Sequence, residues 1–107
     1  MVTINKETPL QDIGGGVVRK ILSHAPNLMT VELHFDKGSV GAPHFHPHEQ
    51  IGYIISGKLE YMENGEKRVL ETGDTYYVAP NVVHGVVALE ETKLLDIFTP
   101  EREDFLR

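Results

Sequence analysis

Clusters of turn-forming residues break the chain at short, regular intervals: Gly14-Gly15-Gly16, Ala25-Pro26-Asn27, Asp36-Lys37-Gly38, Ser56-Gly57, Asn64-Gly65, Thr72-Gly73-Asp74 and Pro80-Asn81. Turns every 8 to 12 residues or so suit single β-strands, and almost no segment reads as a long amphipathic helix. In LMTVELHF, Val31, Leu33 and Phe35 alternate with Thr30, Glu32 and His34, the period of a strand with one buried face. VVRKILS (17–23), IGYIIS (51–56), KLEYME (58–63), EKRVLE (66–71), TYYVA (75–79), VVHGVVAL (82–89) and KLLDIFT (93–99) read as further strands. Asn64-Gly65 is the strongest hairpin signal, because a two-residue turn needs positive φ at both positions. Roughly eight to ten short strands predict an all-β barrel or jelly roll. Residues 1–16 are expected to lead in flexibly through the glycine triplet, and Pro100 to open a short C-terminal helix, EREDFLR.

A chain of 107 residues supports one core, so 1–107 is read as a single domain. With 40% hydrophobic and 24% charged residues, disordered and collagen-like classes fall away. A net charge of -6 argues against nucleic-acid binding, since a phosphate backbone needs a basic face. The absence of cysteine excludes disulfides, thiolate metal sites and a Cys nucleophile. MVTINKETPL lacks a basic region followed by an apolar one, and no apolar run approaches membrane length. A cytoplasmic protein without a membrane partner is expected.

Chemistry concentrates in GSVGAPHFHPHEQIGYIISG, from Gly38 to Gly57. His44 and His46, at i and i+2, share one face of an extended strand, and Gln50 keeps that parity. His84 arrives later, in GDTYYVAPNVVHGVV, where a strand-rich fold can bring it alongside. Imidazole is a favoured ligand for first-row divalent metals, so a metal site inside the barrel is the first reading. Parity leaves the fourth ligand open, because His48 is also even and Glu49 is a commoner ligand type than Gln50. His24 and His34 have no motif around them and read as surface residues; Tyr53, Tyr76 and Tyr77 read as core. In KLLDIFT, Leu94, Asp96 and Phe98 share one face and Leu95 and Ile97 the other. If the face of Asp96 is the buried one, a carboxylate there costs several kcal/mol if ionised and unpaired, which a purely structural role does not explain; the plain alternative is a solvent-facing Asp on an edge strand.

Gly38, His44, His46, Gln50 and Gly57 follow the first cupin motif, G-x5-H-x-H-x3-E-x6-G, with Gln in place of Glu. Gly73 and His84 match the second, G-x5-P-x-G-x2-H-x3-N, where Ala79, Asn81 and Ala88 depart from it. Asn81 is a mild departure, since Asn tolerates the left-handed conformation of a Gly. RKILSH, HEQIGY, GEK, HGVVALE and the tail D-x-F-x-P-x-R-x-DFL, from Asp96 to Leu106, extend the likeness over nearly the whole chain. Together they resemble the KdgF family of pectin-degradation cupins, whose members linearise 4,5-unsaturated monouronates from pectin or alginate into 5-keto-4-deoxyuronates. The resemblance implies a single-domain cupin and one divalent transition metal ion, with His44, His46, Gln50 and His84 as ligands. It places the family's other catalytic residues at Asp96, Phe98 and Arg102. By analogy with cupins of this size, a homodimer is expected.

Three imidazoles and an amide leave the +2 of such an ion uncompensated, which favours an anionic substrate and Lewis-acid chemistry over the higher oxidation states an iron oxygenase must stabilise. In that reading Arg102 and the ion hold the uronate carboxylate and Asp96 moves protons. A metal-dependent dioxygenase and a non-catalytic module that binds sugars or small acids are the competing readings.

Overall fold

A computed structural model describes residues 1–107, which form ten strands: β1 (Gln11–Gly14), β2 (Val17–Ala25), β3 (Leu28–Phe35), β4 (Val40–His44), β5 (Glu49–Ser56), β6 (Lys58–Glu63), β7 (Glu66–Glu71), β8 (Thr75–Val78), β9 (His84–Ala88) and β10 (Thr92–Thr99). They build two sheets, a six-stranded one ordered β1-β2-β3-β10-β5-β8 and a four-stranded one ordered β4-β9-β6-β7. Every pairing is antiparallel. This is the all-β jelly roll expected from the turn spacing.

β10 sits at the centre of the larger sheet, between β3 and β5. Its burial alternates strictly: Thr92, Leu94, Asp96 and Phe98 are buried, and Lys93, Leu95 and Ile97 are half-buried. Leu94 joins Ile54, Leu59, Val78 and Ala88 in the apolar layer between the sheets, while Phe98 packs with Met29 and Val31. Asn64 and Gly65 both have positive φ, at 48° and 84°, and close the β6–β7 hairpin between Glu63 and Glu66. Gly57, at φ 102°, has its missing side chain aimed at the Glu91 carbonyl, 2.3 Å from where a Cβ would lie, so this motif position tolerates no side chain.

One local expectation is corrected. Residues 11–14 are not a flexible lead-in: they pair with β2, and Gly15-Gly16 forms the turn between the two strands. The short C-terminal helix expected in EREDFLR is present as a 3₁₀ turn at Glu103–Leu106, and Arg102 before it has a non-helical backbone and donates to Asp104 two residues on. No helix is long and apolar enough to cross a membrane.

Candidate metal centre and active site

β4 ends at His44, which pairs across the smaller sheet with His84, the first residue of β9. His46 lies beyond the strand, so shared strand parity does not bring the first two imidazoles together. The turn after β4 does, held in place by the Asn81 amide donating to the His46 carbonyl at 2.8 Å. Asn81 adopts φ 64°, the left-handed conformation that its motif position calls for. The three rings converge, with centroids 4.5 Å apart for His44 and His84 and 4.9 Å for His46 and His84, and one nitrogen of each lies within 4.8 Å of the others.

Their hydrogen bonds suit metal ligation. Nδ1 of His44 donates to the Ala42 carbonyl and Nδ1 of His84 to the Val82 carbonyl, both at 2.9 Å. That leaves each Nε2 with a free lone pair, and the Nε2 of His84 is buried without a partner in the protein. Burial lowers the pKa of His84 and takes His46 down to about 4, so both imidazoles are neutral, the form that binds a cation. Gln50 on β5 is buried, and its Oε1 lies 3.0 Å from Nε2 of His46. The donor set of three imidazoles and one amide oxygen fits a borderline divalent ion. Neither alternative fourth ligand joins the cluster. Glu49 is exposed and accepts the Tyr77 hydroxyl, and His48 packs its ring edge-on to His46 at 5.4 Å, outside the group.

The cluster opens on a cavity of about 290 Å³. Asp96 lines it, 4% exposed, and burial raises its carboxyl to about 6, against the lowering influence of Gln50, Tyr76 and Arg102. The Tyr76 hydroxyl donates to its Oδ1 at 3.0 Å. Phe98 forms a wall, edge-on to His46 at 5.8 Å and to Phe105 at 5.8 Å. Arg102 is buried, with its guanidinium 5.2 Å from the Phe98 ring centre and 4.2 Å from that of Phe105. Its Nε and Nη2 both donate to Asp104, at 3.1 and 2.9 Å.

Three features escaped the sequence reading. Tyr76 is buried as expected, but it belongs to the Asp96 network and is not merely core. Tyr53 and Tyr77 are not core at all: at the odd positions of β5 and β8 they face outward and are 43% and 52% exposed. Gly52 stands between Asp96 and Tyr76 on one rung, paired with both, and its missing side chain makes room for the Tyr76 ring. Strand parity in TYYV, which turns Tyr76 and Val78 to one side, was the available signal. His24 and His34 are half-buried, held by Glu101 at 2.7 Å and Glu32 at 3.2 Å.

Two opposed antiparallel sheets with a histidine cluster at the mouth of the barrel define a cupin, and the Cupin domain family matches residues 31–98. The chain is 49% identical over 105 residues to the pectin degradation protein KdgF of Dickeya dadantii (strain 3937), covering 96% of each protein. Its structure superposes on KdgF from Halomonas sp. with a TM-score of 0.95 at 44% identity, covering 98% of this chain and 97% of that one. An RmlC-like cupin from Shewanella frigidimarina NCIMB 400 also gives 0.95, at 39% identity over 97% of this chain and 94% of the other. The chain therefore belongs to the cupin family and, within it, to the group that contains the Dickeya and Halomonas KdgF proteins.

Proposed function

We propose that this protein linearises 4,5-unsaturated monouronates to 5-keto-4-deoxyuronates, with His44, His46, Gln50 and His84 holding a divalent metal ion and Asp96, Arg102 and Phe98 acting on the substrate. Kinship with KdgF supports the substrate class, since the Dickeya relative is named for pectin degradation. The observation that carries the chemistry is the placement of Asp96, a buried carboxyl lining the same cavity as the histidines, with a pKa near 6. Such a group accepts and returns a proton near neutral pH.

An ion held by His44, His46, Gln50 and His84 would supply Lewis acidity toward a substrate oxygen. Asp96 takes the proton from the C1 hydroxyl, the C1–O bond to the ring oxygen breaks, and C1 becomes the aldehyde. The electron pair stays on the former ring oxygen as an enolate at C5, in conjugation with the substrate carboxylate. Protonation at C4, by the proton Asp96 holds, gives the 5-ketone and restores the carboxylate. Tyr76 donates to Oδ1 of Asp96, which holds the carboxyl plane. Arg102 adds positive charge beside Asp96 and His46. Phe98 excludes water from one wall of the cavity.

The direct test is to incubate the purified protein with an unsaturated monouronate and follow ring opening by proton NMR, with and without a chelator. Metal-dependent appearance of the open-chain ketone faster than the unaided reaction supports the reading. Uronate binding with no acceleration of product formation refutes it.

A further inference from the structure

We infer that Arg19 is the residue that docks the carboxylate of the ligand, a role carried by neither the histidine cluster nor Asp96; as to ligand class, this rests on the sugar-acid reading of the same cavity. Arg19 lies on β2 between Val17, which belongs to the main core, and Ile21, which packs against the Met29 cluster. An arginine between two inward-facing apolar residues has its stem directed into the barrel, and Arg19 lines the cavity.

Two guanidiniums reach that cavity, and they differ in what is left free. Arg102 spends Nε and Nη2 on the Asp104 carboxylate, so one side of its fork is filled and its charge is already countered. Arg19 donates only Nε, at 2.7 Å, to the neutral Gln11 amide oxygen across the β1–β2 ladder. Its Nη1 and Nη2 have no partner in the protein, and no carboxylate lies within ion-pair distance. The Phe105 ring, 4.3 Å from the guanidinium carbon, and Gln11 fix the plane of the group. A carboxylate is best bound by two parallel N–H donors held in one plane, which is what a pinned guanidinium with a free end presents. In a chain with net charge -6, a cation on a cavity wall with Asp104 nearby but no carboxylate in direct contact is also a local attractor for an anion.

The test titrates the metal-containing protein with D-galacturonate, a stable saturated uronate, by calorimetry. Arg19→Met keeps an unbranched apolar stem against Phe105 and removes the fork; Arg19→Lys keeps the charge without the fork. Arg68→Met, in the smaller sheet and outside this cavity, controls for net charge. Arg19→Met is expected to weaken galacturonate binding about 10- to 100-fold, Arg19→Lys to recover only part of that, and Arg68→Met to change little. Metal content stays at the wild-type level. For turnover of the unsaturated uronate, KM rises by a similar factor while kcat holds within about threefold. Unchanged affinity in Arg19→Met, or an equal loss in Arg68→Met, overturns the assignment, as does a wild-type protein that binds no galacturonate. Galacturonate binding that depends on Arg19, in a protein that does not accelerate ring opening, upholds Arg19 and defeats the linearisation reading instead.

Discussion

Gly52→Ala adds one methyl group at the tightest point of the candidate active site. Gly52 has ordinary backbone angles, so its necessity comes from space alone. A Cβ built there lies 2.2 Å from Cζ, 2.3 Å from Cε2 and 2.6 Å from the hydroxyl of Tyr76. Carbon atoms in contact settle near 3.5 to 4 Å, so the ring would have to retreat by about 1 Å or more. It has nowhere to go. Tyr76 is 8% exposed and is stacked on Tyr61 at a centroid distance of 4.3 Å, and the Tyr61 hydroxyl is itself tied to Glu63 at 2.8 Å. Overpacking of this kind costs about 1 to 3 kcal/mol. The same displacement carries the Tyr76 hydroxyl out of its 3.0 Å bond to Asp96, which takes one donor from a buried carboxyl at a further cost of about 1 to 3 kcal/mol.

Because the two effects share one displacement, about 2 to 4 kcal/mol in total is expected, measured as a lowered urea midpoint at constant slope. Turnover should fall with it, since Asp96 is no longer held. Tyr76→Phe separates the causes: it spares the steric fit and removes only the hydroxyl, so it should cost about 1 to 2 kcal/mol while still lowering kcat. In a Tyr76→Val background the added methyl group finds room, and Gly52→Ala should then cost less than 1 kcal/mol. A Gly52→Ala protein within 1 kcal/mol of wild type, or one whose penalty is the same with valine at position 76, would refute the packing account.

Asp96→Ala is expected to keep its metal and fold but lose turnover by about 10²- to 10⁴-fold, followed as slower decay of the alkene's ultraviolet absorbance; unchanged decay removes Asp96 from the mechanism. Gln50→Glu places a negative charge among the ligands and should weaken uronate binding in calorimetry, so tighter binding contradicts the charge reading. Burial pushes the Glu32 carboxyl up, but hydrogen bonds from Asn5 at 3.1 Å and His34 at 3.2 Å outweigh it and hold the group below the ordinary 4.5. A depressed carboxylate adds stability above its unfolded pKa and loses it as pH falls through the folded value. Wild type should therefore lose stability below about pH 4.5 more steeply than Glu32→Gln, and parallel acid-unfolding curves would exclude this contribution.

The turns were legible because each carries its own chemistry. Asn64-Gly65 specifies a hairpin whatever surrounds it, and Asn81 takes the positive φ its position demands. Burial on β10 was half legible: alternation grouped Leu94 with Asp96 and Phe98 but could not choose the buried face, which is fixed by packing against β3 and β5. What local pattern could not supply was the meeting of strands distant in sequence. Gly52, Tyr76 and Asp96 lie on adjacent strands of one sheet, yet Tyr76 is 20 residues from Asp96. Only the register turns an ordinary core tyrosine into a hydrogen-bond donor at the site. Residues 11–14 were misread for the same reason, since β1 is exposed throughout and its pairing with β2, not its pattern, makes it a strand. His44 and His46 were read as cluster members on strand parity, although the strand ends between them and a loop amide holds His46.

Charge decides what this cavity attracts. His84 contributes a neutral ring, Gln50 a neutral amide, and Asp96 is the one acid on the wall, with a carboxyl that burial shifts toward its uncharged form. Against it stand Arg19 and Arg102, two of the four arginines in the chain. The acidic residues that give the molecule its negative charge thus lie almost entirely away from the cavity, and the candidate metal cluster has no carboxylate beside it, Gln standing at 50. An anion entering here meets the free end of Arg19, which no carboxylate pairs, and the guanidinium of Arg102. A neutral sugar of the same shape can use the free N–H groups of Arg19 but gains no charge pairing from them. The preference for an anion in the proposed function therefore draws on the carboxylates this cavity lacks as much as on the groups it presents.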